Sequence, residues 1–359
     1  MDNQQSSGKS GARGDDRLGA MKTWLLETLP GKDFDIAPAS QDASFRRYFR
    51  VSPRESEPAP RATNASLIVM DAPPTREDSR RFVFVAALLR EAGVNVPEVL
   101  ATDFEQGFLL SSDLGSTHYL AAITQNDLGK DRVDELYDDA MAALLTIQAS
   151  APCHRLPEYD RELLETEMTL FPDWFLARHL GIPITPTLDG MLRDTFDFLQ
   201  RAAAEQPRVF VHQDYHSRNL MVDHRHNPGI LDFQDAVRGP ITYDLVSLLK
   251  DVYISWPRAR VDDWALGYRD SAIRRGILAN VDRATWLRWF DLMGAQRHLK
   301  IAGIFARLYH RDGKPGYLAD IPLTLNYLAE VCARYPELAA LGGLLDHLEL
   351  QTSRFELHP

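Results

Sequence analysis

Between residues 209 and 235 the chain runs Val-Phe-Val-His-Gln-Asp-Tyr-His-Ser-Arg-Asn-Leu-Met-Val, turns briefly, and returns as Gly-Ile-Leu-Asp-Phe-Gln-Asp. The apolar runs Val209–Val211, Leu220–Val222 and Ile230–Leu231 are too short for helices and read as strands that interrupt an otherwise helical half. They leave Asp214 directly after one strand, Asn219 five residues later, and Asp232 at the end of the next apolar run. Side chains at strand ends are held rigidly, so this stretch fixes both the local fold and the direction of three polar groups. Their order and spacing are the layout of a phosphoryl-transfer site. There the first Asp orients an attacking hydroxyl, and the Asn and second Asp offer oxygen to magnesium.

The remaining totals narrow what surrounds that stretch. A chain of 359 residues can build two lobes with their own cores. A net charge of -11 argues against a nucleic-acid backbone as partner, since that binding needs dense positive charge. The two cysteines, Cys153 and Cys332, have no metal-ligand spacing and suggest no disulfide framework, so a reducing cytoplasm is the expected location. No apolar run approaches the roughly 20 residues that span a bilayer, and no membrane partner is expected. Residues 1–20 are rich in Gly, Ser, Asp and Arg, lack the apolar core of a signal peptide, and read as a disordered tail. Gly8-Lys9-Ser10 lacks the upstream glycine and strand of a phosphate-binding loop.

The pattern along the chain is α+β. Residues 21–115 read as a small β-rich lobe. A helix over Met21–Leu29 precedes a loop and strand at Asp42–Val51, a strand at Leu67–Met70, a helix through Phe82, Val85, Ala86 and Leu89, and a strand pair at Val99–Thr102 and Phe108–Leu110. Thr75 and Asp78 suggest a capping box for that helix, and Gly93 its stop. Residues 111–115 form a polar connector. Residues 116–359 read as a large helical lobe. Val133, Leu136, Tyr137, Ala140, Leu144 and Ile147 recur at helical spacing, and further helices are expected near 161–180, 189–204, 241–253, 262–275, 284–310 and 320–334.

Around the three polar residues, His212 is expected to brace the loop backbone. Its four-residue separation from His216 suits zinc only on a helix, and this segment reads as strand and loop. Asp244 reads as a helix cap or as a buried anchor for the catalytic loop.

His-Gln-Asp-Tyr-His-Ser-Arg-Asn, Leu-Asp-Phe-Gln-Asp and the later Tyr-Asp-Leu resemble the aminoglycoside phosphotransferase and choline kinase branch of the protein-kinase-like fold, with a match from about 35 to 335. Asp-Ala-Ser-Phe-Arg-Arg-Tyr-Phe-Arg, Val-Met-Asp-Ala-Pro-Pro, Leu-Phe-Pro-Asp-Trp-Phe and Gln-Arg-His-Leu-Lys-Ile-Ala-Gly-Ile-Phe-Ala-Arg-Leu are similar to segments of bacterial sugar kinases. Those enzymes phosphorylate the anomeric hydroxyl of N-acetylmuramate and N-acetylglucosamine in cell-wall recycling. The resemblance implies a two-lobed fold, ATP as donor with Mg2+, an amino-sugar acceptor and a sugar 1-phosphate as product. It implies catalysis by Asp214 and metal binding by Asn219 and Asp232.

For the nucleotide the resemblance points to the loop at Ser44, Phe45, Arg46 and Arg47, to Met70, and to Ser111, Asp113 and Leu114 of the connector. This loop has no glycines, so backbone amides and Ser44 would cover phosphates while Arg46 or Arg47 add charge; a solvated strand face is the alternative for the arginines. The third strand supplies no phosphate-contacting lysine, and the following helix has apolar residues such as Val85 where a partner glutamate is expected. For the acceptor, Arg297, Lys300, Ile304 and Arg307 fall on one helix face, either as a reader of the lactyl carboxylate of a muramic acid or as a solvated surface. Trp174 could stack on a sugar or belong to the core. Asp235 and Glu167 could bond sugar hydroxyls, with a turn cap as the alternative for Asp235. Two other readings stay open. One is a kinase of another small alcohol, of aminoglycoside or choline type, for which the acidic run Asp131, Asp134, Glu135, Asp138 and Asp139 would matter. The other is a nucleotide-binding pseudokinase, motivated by the absent lysine.

Overall fold

Period-two alternation puts Phe49, Val51, Leu67, Val69, Phe108 and Leu110 on one face of a sheet. The computed structural model describes residues 9–41, 45–54, 66–125 and 129–352. They divide into two units, the first holding residues up to Arg90 together with Val96–Gly115, the second Glu91–Asn95 and everything from Ser116. The first unit contains α1 (Lys9–Thr28), β1 (Phe34–Gln41), β2 (Arg47–Pro53), β3 (Leu67–Asp71), α2 (Ser79–Glu91), β4 (Val99–Asp103) and β5 (Phe108–Ser112). Its strands form one antiparallel sheet in the order β1-β2-β3-β5-β4. The apolar stripe of α1, Met21, Trp24 and Leu25, packs on the alternating face.

Three readings of this unit need correction. The helix begins at Lys9, so the segment taken as a tail to Ala20 is helical beyond the first eight residues, which lie outside the described part. One of its polar residues has a definite role: the Arg17 guanidinium bonds the buried Asp71 carboxylate and Gln106 O (2.8 Å) and lies 5.2 Å from the Phe108 ring centroid. Strand β1 has no counterpart in the sequence reading, because Pro38 argues against a strand. It is tolerated here on the sheet edge, where pairing with β2 shifts register between Pro38 and Ser40. Asp78 caps α2 directly by accepting Arg80 N–H at 3.1 Å, where the sequence suggests a box with Thr75.

The second unit contains α3 (Tyr119–Gln125), α4 (Lys130–Ser150), α5 (Arg161–Met168), a π-helix (Phe171–His179), α6 (Pro186–Ala204), β6 (Arg208–Val211), β7 (Leu220–Met221), β8 (Gly229–Ile230), β9 (Val237–Pro240), α7 (Tyr243–Leu249), α8 (Arg258–Arg274), α9 (Arg283–Asp312), α10 (Ile321–Arg334) and α11 (Ala339–Thr352). The strands pair as β6 with β9 and β7 with β8. The single helix expected over 161–180 is two elements, broken where Pro172 enters the first turn of the π-helix. Helices α3 and α11 and strand β9 are absent from the sequence reading; Gly239-Pro240 masks the strand and Gly342-Gly343 the last helix.

Helix α9 organises this unit. Its 30 residues span about 45 Å, from an Asp282 cap that accepts Thr285 N–H at 2.9 Å to Gly313 at φ 65°. It packs against α5, the π-helix, α6, α7, α8 and α10, and every residue from Trp289 to Gly303 is buried. A helix buried all round must satisfy its polar groups internally. Asp291 accordingly accepts Lys250 Nζ at 3.0 Å and Arg258 Nη2 at 2.9 Å. Near its end, Gly303 lies so close to the chain at Leu170 that a Cβ would stand 2.3 Å from the Leu170 carbonyl carbon.

His298 on α9 is stacked on Tyr327 at 5.0 Å. Burial pushes its imidazole down to about 3 from an ordinary 6.5. Between these values the unfolded chain binds a proton that the native state does not. The stability tied to this residue is therefore complete above pH 6.5 and is lost as the pH falls. Wild type should lose about 2 kcal/mol through His298 between pH 7 and pH 5, whereas His298→Gln should not. Melting curves at the two pH values test this: the stability gap between the proteins must narrow at pH 5, and a constant gap rejects it.

Candidate active site

The site is built on the turn that follows β6. His212 and Gln213 present adjacent backbone N–H groups, and the Asp244 carboxylate on α7 accepts both, at 2.6 and 3.0 Å. Asp244 is fully buried. Burial pushes its carboxyl up to about 7, against the pull of the two N–H groups and Arg297. Of the two roles the sequence allows Asp244, the structure has the anchor: Thr242 holds the N-cap position of α7.

His212 is the brace that the sequence suggests. One ring nitrogen, Nε2, meets Leu231 O at 3.0 Å, and Nδ1 accepts the Asp214 N–H at 3.2 Å. Burial pushes this imidazole down to about 4. It is therefore neutral near pH 7, with Nε2–H donating and Nδ1 accepting. Ser217, further along the loop, is tied by its N–H to the buried Asp251 carboxylate at 3.0 Å.

Asp214 is thus held from several directions, yet 44% of its side chain is exposed. Recession into the fold pushes its pKa up, but Arg297, Lys300, His216 and His212 outweigh that and leave the carboxyl below its ordinary value. Arg297 Nη2 stands 3.8 Å from Asp214 Oδ1, and its Nη1 donates to Gln213 O at 2.7 Å. Lys300 Nζ meets Glu167 Oε1 at 2.7 Å, Tyr243 OH at 3.0 Å and Gln213 Oε1 at 3.3 Å. Burial would push the Lys300 ammonium down, but Glu167, Tyr243 and Asp214 hold it well above its ordinary value. Glu167 also takes bonds from Tyr159 OH and, at 3.3 Å, Gln296 Nε2. The basic stripe is therefore no solvated face: Arg297 and Lys300 point inward and form one network with Glu167 beneath Asp214.

Asn219 joins the two halves of the motif. Its Nδ2 donates to Asp214 O at 3.0 Å and to Asp232 Oδ2 at 3.4 Å. Asp232 adopts φ 61° and accepts Gln234 Nε2 at 2.8 Å on Oδ1. With its amide N–H groups used on protein, Asn219 has Oδ1 to offer a cation. An amide oxygen beside a carboxylate is a hard donor set, which suits Mg2+ completed by phosphate and water. Among the described residues no group of three or more His, Cys, Asp or Glu side chains could hold a metal, and both ring nitrogens of His212 are engaged within the protein.

Asp235 contributes its backbone O to Gln213 Nε2 at 2.7 Å. Trp174 is half-buried on the π-helix, its ring 5.1 Å from the Arg178 guanidinium carbon. The acidic run on α4 is largely engaged: Asp134 with Arg260, Glu135 with Arg132 and Asp139 with Asn227.

In the first unit, Phe45 is exposed with the Arg76 guanidinium 4.5 Å over its ring, Arg46 bonds Glu77 at 2.9 Å, and Arg47 bonds Asp71. Met70 and Ser111 are buried in the sheet. Asp113 accepts Ser66 Oγ at 2.6 Å and pairs with Arg50; burial raises its pKa, but these partners hold it below the ordinary value. Leu114 is half-buried, and Ser44 lies outside the described residues. The sequence reading missed Gln213, Tyr243, Asp251 and Gln296. The available signals were Gln213, between His212 and Asp214 in the first motif, and Tyr243, next to Asp244 in the Tyr-Asp-Leu motif.

The model of the phosphotransferase enzyme family matches residues 35–284. The chain belongs to this family. It is 47% identical to N-acetylmuramate/N-acetylglucosamine kinase of Pseudomonas aeruginosa, over 93% of this chain and 97% of that protein. It is 43% identical to the protein of the same name from Neisseria meningitidis, over 92% and 97%. An ADP-bound aminoglycoside phosphotransferase shares the fold at 13% identity and TM-score 0.56, covering 87% of this chain and 98% of that one. As a member, the chain is a small-molecule phosphotransferase with a hydroxyl acceptor. No helix among its described residues is long and apolar enough to cross a membrane.

Replacing Asp244 by Asn would turn an NH2 group toward one of the two backbone N–H donors. The unsatisfied donor should cost about 1–3 kcal/mol and the loop's displacement should lower kcat at least ~10-fold. Melting curves and steady-state kinetics measure both, and an unchanged kcat would remove Asp244 as the loop's anchor.

Proposed function

We propose that this phosphotransferase uses ATP to phosphorylate the anomeric hydroxyl of N-acetylmuramate and N-acetylglucosamine, giving the 1-phosphate for peptidoglycan recycling in the cytoplasm. The observation that carries the reading is the contact of Asn219 with both Asp214 and Asp232, which gathers one exposed carboxylate and an oxygen donor pair at one point. The names of the relatives at 43–47% identity support the choice of acceptor.

In this proposal Asp214 accepts a hydrogen bond from the anomeric hydroxyl and aligns it for in-line transfer. A carboxyl held below its ordinary pKa is a weak base, so its contribution is orientation more than early proton removal. Asn219 Oδ1 and Asp232 would hold Mg2+, which when bound neutralises charge on the phosphates. Phe45, Arg46, Arg47, Met70, Ser111, Asp113 and Leu114, with Ser44, are assigned to the nucleotide. Glu167, Trp174, Asp235, Arg297 and Lys300 are assigned to the acceptor. A polycationic or choline-type acceptor is less well supported, because three of the five acidic side chains of the α4 run are engaged within the protein.

ADP release measured with N-acetylmuramate, N-acetylglucosamine, glucose, choline and an aminoglycoside should be fastest with the two amino sugars, and Asp214→Asn should lower kcat by roughly 10²–10⁴. Turnover on none of the five would favour a binding module, and full activity of the variant would remove the catalytic assignment. Arg297→Ala should lower kcat/KM for N-acetylmuramate more than for N-acetylglucosamine if its charge reads the lactyl carboxylate. Equal losses would confine Arg297 to bracing Gln213.

A further inference from the structure

Gln213 adopts φ 78°, a left-handed conformation that glycine takes freely and that a Cβ makes costly. The residue is only 8% exposed, and each of its polar groups is bonded. Its N–H donates to Asp244 Oδ1 at 3.0 Å and its C=O accepts Arg297 Nη1 at 2.7 Å. Its side-chain Nε2 donates to Asp235 O at 2.7 Å, and Oε1 accepts Lys300 Nζ at 3.3 Å. A glycine would keep the two backbone bonds and remove the strain, so the conformation alone gives no reason for a glutamine. What the side chain adds is a link from the residue before Asp214 to the loop that carries Asp232, with its other end on α9.

We infer that Gln213 is a positioning residue that sets the distance between Asp214 and Asp232. This rests on the roles proposed above for those two carboxylates. Asn219 bridges the same two loops through Asp214 O and Asp232 Oδ2, the latter at a long 3.4 Å. His212 joins Leu231 O to the Asp214 N–H on the near side of Asp232, and Gln213 adds the bridge on its far side, at Asp235. Ties on both sides of Asp232 fix its orientation as well as its separation from Asp214, and transfer chemistry loses rate with displacements of about 1 Å.

The test compares Gln213→Gly and Gln213→Ala with wild type and Asp214→Asn. Gln213→Gly removes the side-chain bonds together with the strain, so its melting temperature should lie above that of Gln213→Ala, which keeps the strain. Its kcat should fall about 10–100-fold with acceptor KM changed less than about 3-fold. Binding of Mn2+ with ADP, followed by calorimetry, should weaken, and amides 231–236 should exchange faster. A purely structural residue would move the melting temperature and leave kcat and Mn2+–ADP affinity alone. Wild-type values of both in Gln213→Gly overturn the inference. If that variant does not fold, Gln213→Glu serves, since it keeps the bulk and the bond to Lys300 but places an acceptor against Asp235 O. An active Asp214→Asn would sink the site assignment itself, whereas an inactive one beside a normal Gln213→Gly would sink only the bridge.

Discussion

Two neighbouring amides bonded to one buried carboxylate set the geometry of the second unit. Asp244 fixes His212 and Gln213 to helix α7, and the contacts of Asp214, Asn219 and Asp232 are built outward from that fixture. His212 passes it to Leu231 through one ring nitrogen and to the Asp214 amide through the other. Gln213 passes it to the cations of α9. The carboxylate is buried without a cationic side chain in direct bonding contact, so the two N–H groups are its main compensation. Loop and helix therefore stabilise each other, and neither arrangement is favourable alone.

The electrostatics follow from where the charges were buried. Arg297 and Lys300 sit under Asp214, with Glu167 pairing Lys300, and the two cations hold the Asp214 carboxyl below its ordinary value. An ionised, partly exposed carboxylate over a rigid cationic floor suits holding a hydroxyl in one orientation. It is poorly suited to strong base catalysis, and phosphoryl transfer needs little of that.

Much of this was readable from the chain. Short apolar runs flanking Asp214, Asn219 and Asp232 located β6, β7 and β8 and the polar groups they bring together, and the 3.6-residue period located most helices. What escaped had weak or misleading local signals. Pro38 hid an edge strand, because a missing N–H excludes proline only from paired positions. The polar N-terminal stretch hid α1, whose Arg17 is ordered by a partner 54 residues away. Arg297 and Lys300 carry no mark that distinguishes a buried cation from a solvated one; only the all-round burial of α9 does. The left-handed backbone at Gln213 is invisible because the residue type argues against it.

The close passage of Gly303 past Leu170 couples two segments far apart in the chain. Glu167 precedes Leu170 by three residues, as Lys300 precedes Gly303, so an ion pair and a backbone contact pin the same two segments one turn apart. The stretch leading into the π-helix and the helix that steadies the catalytic turn are in effect one rigid joint. Sliding that stretch would drag Lys300 and, with it, Gln213. A displacement on either side of this joint is therefore shared by both segments.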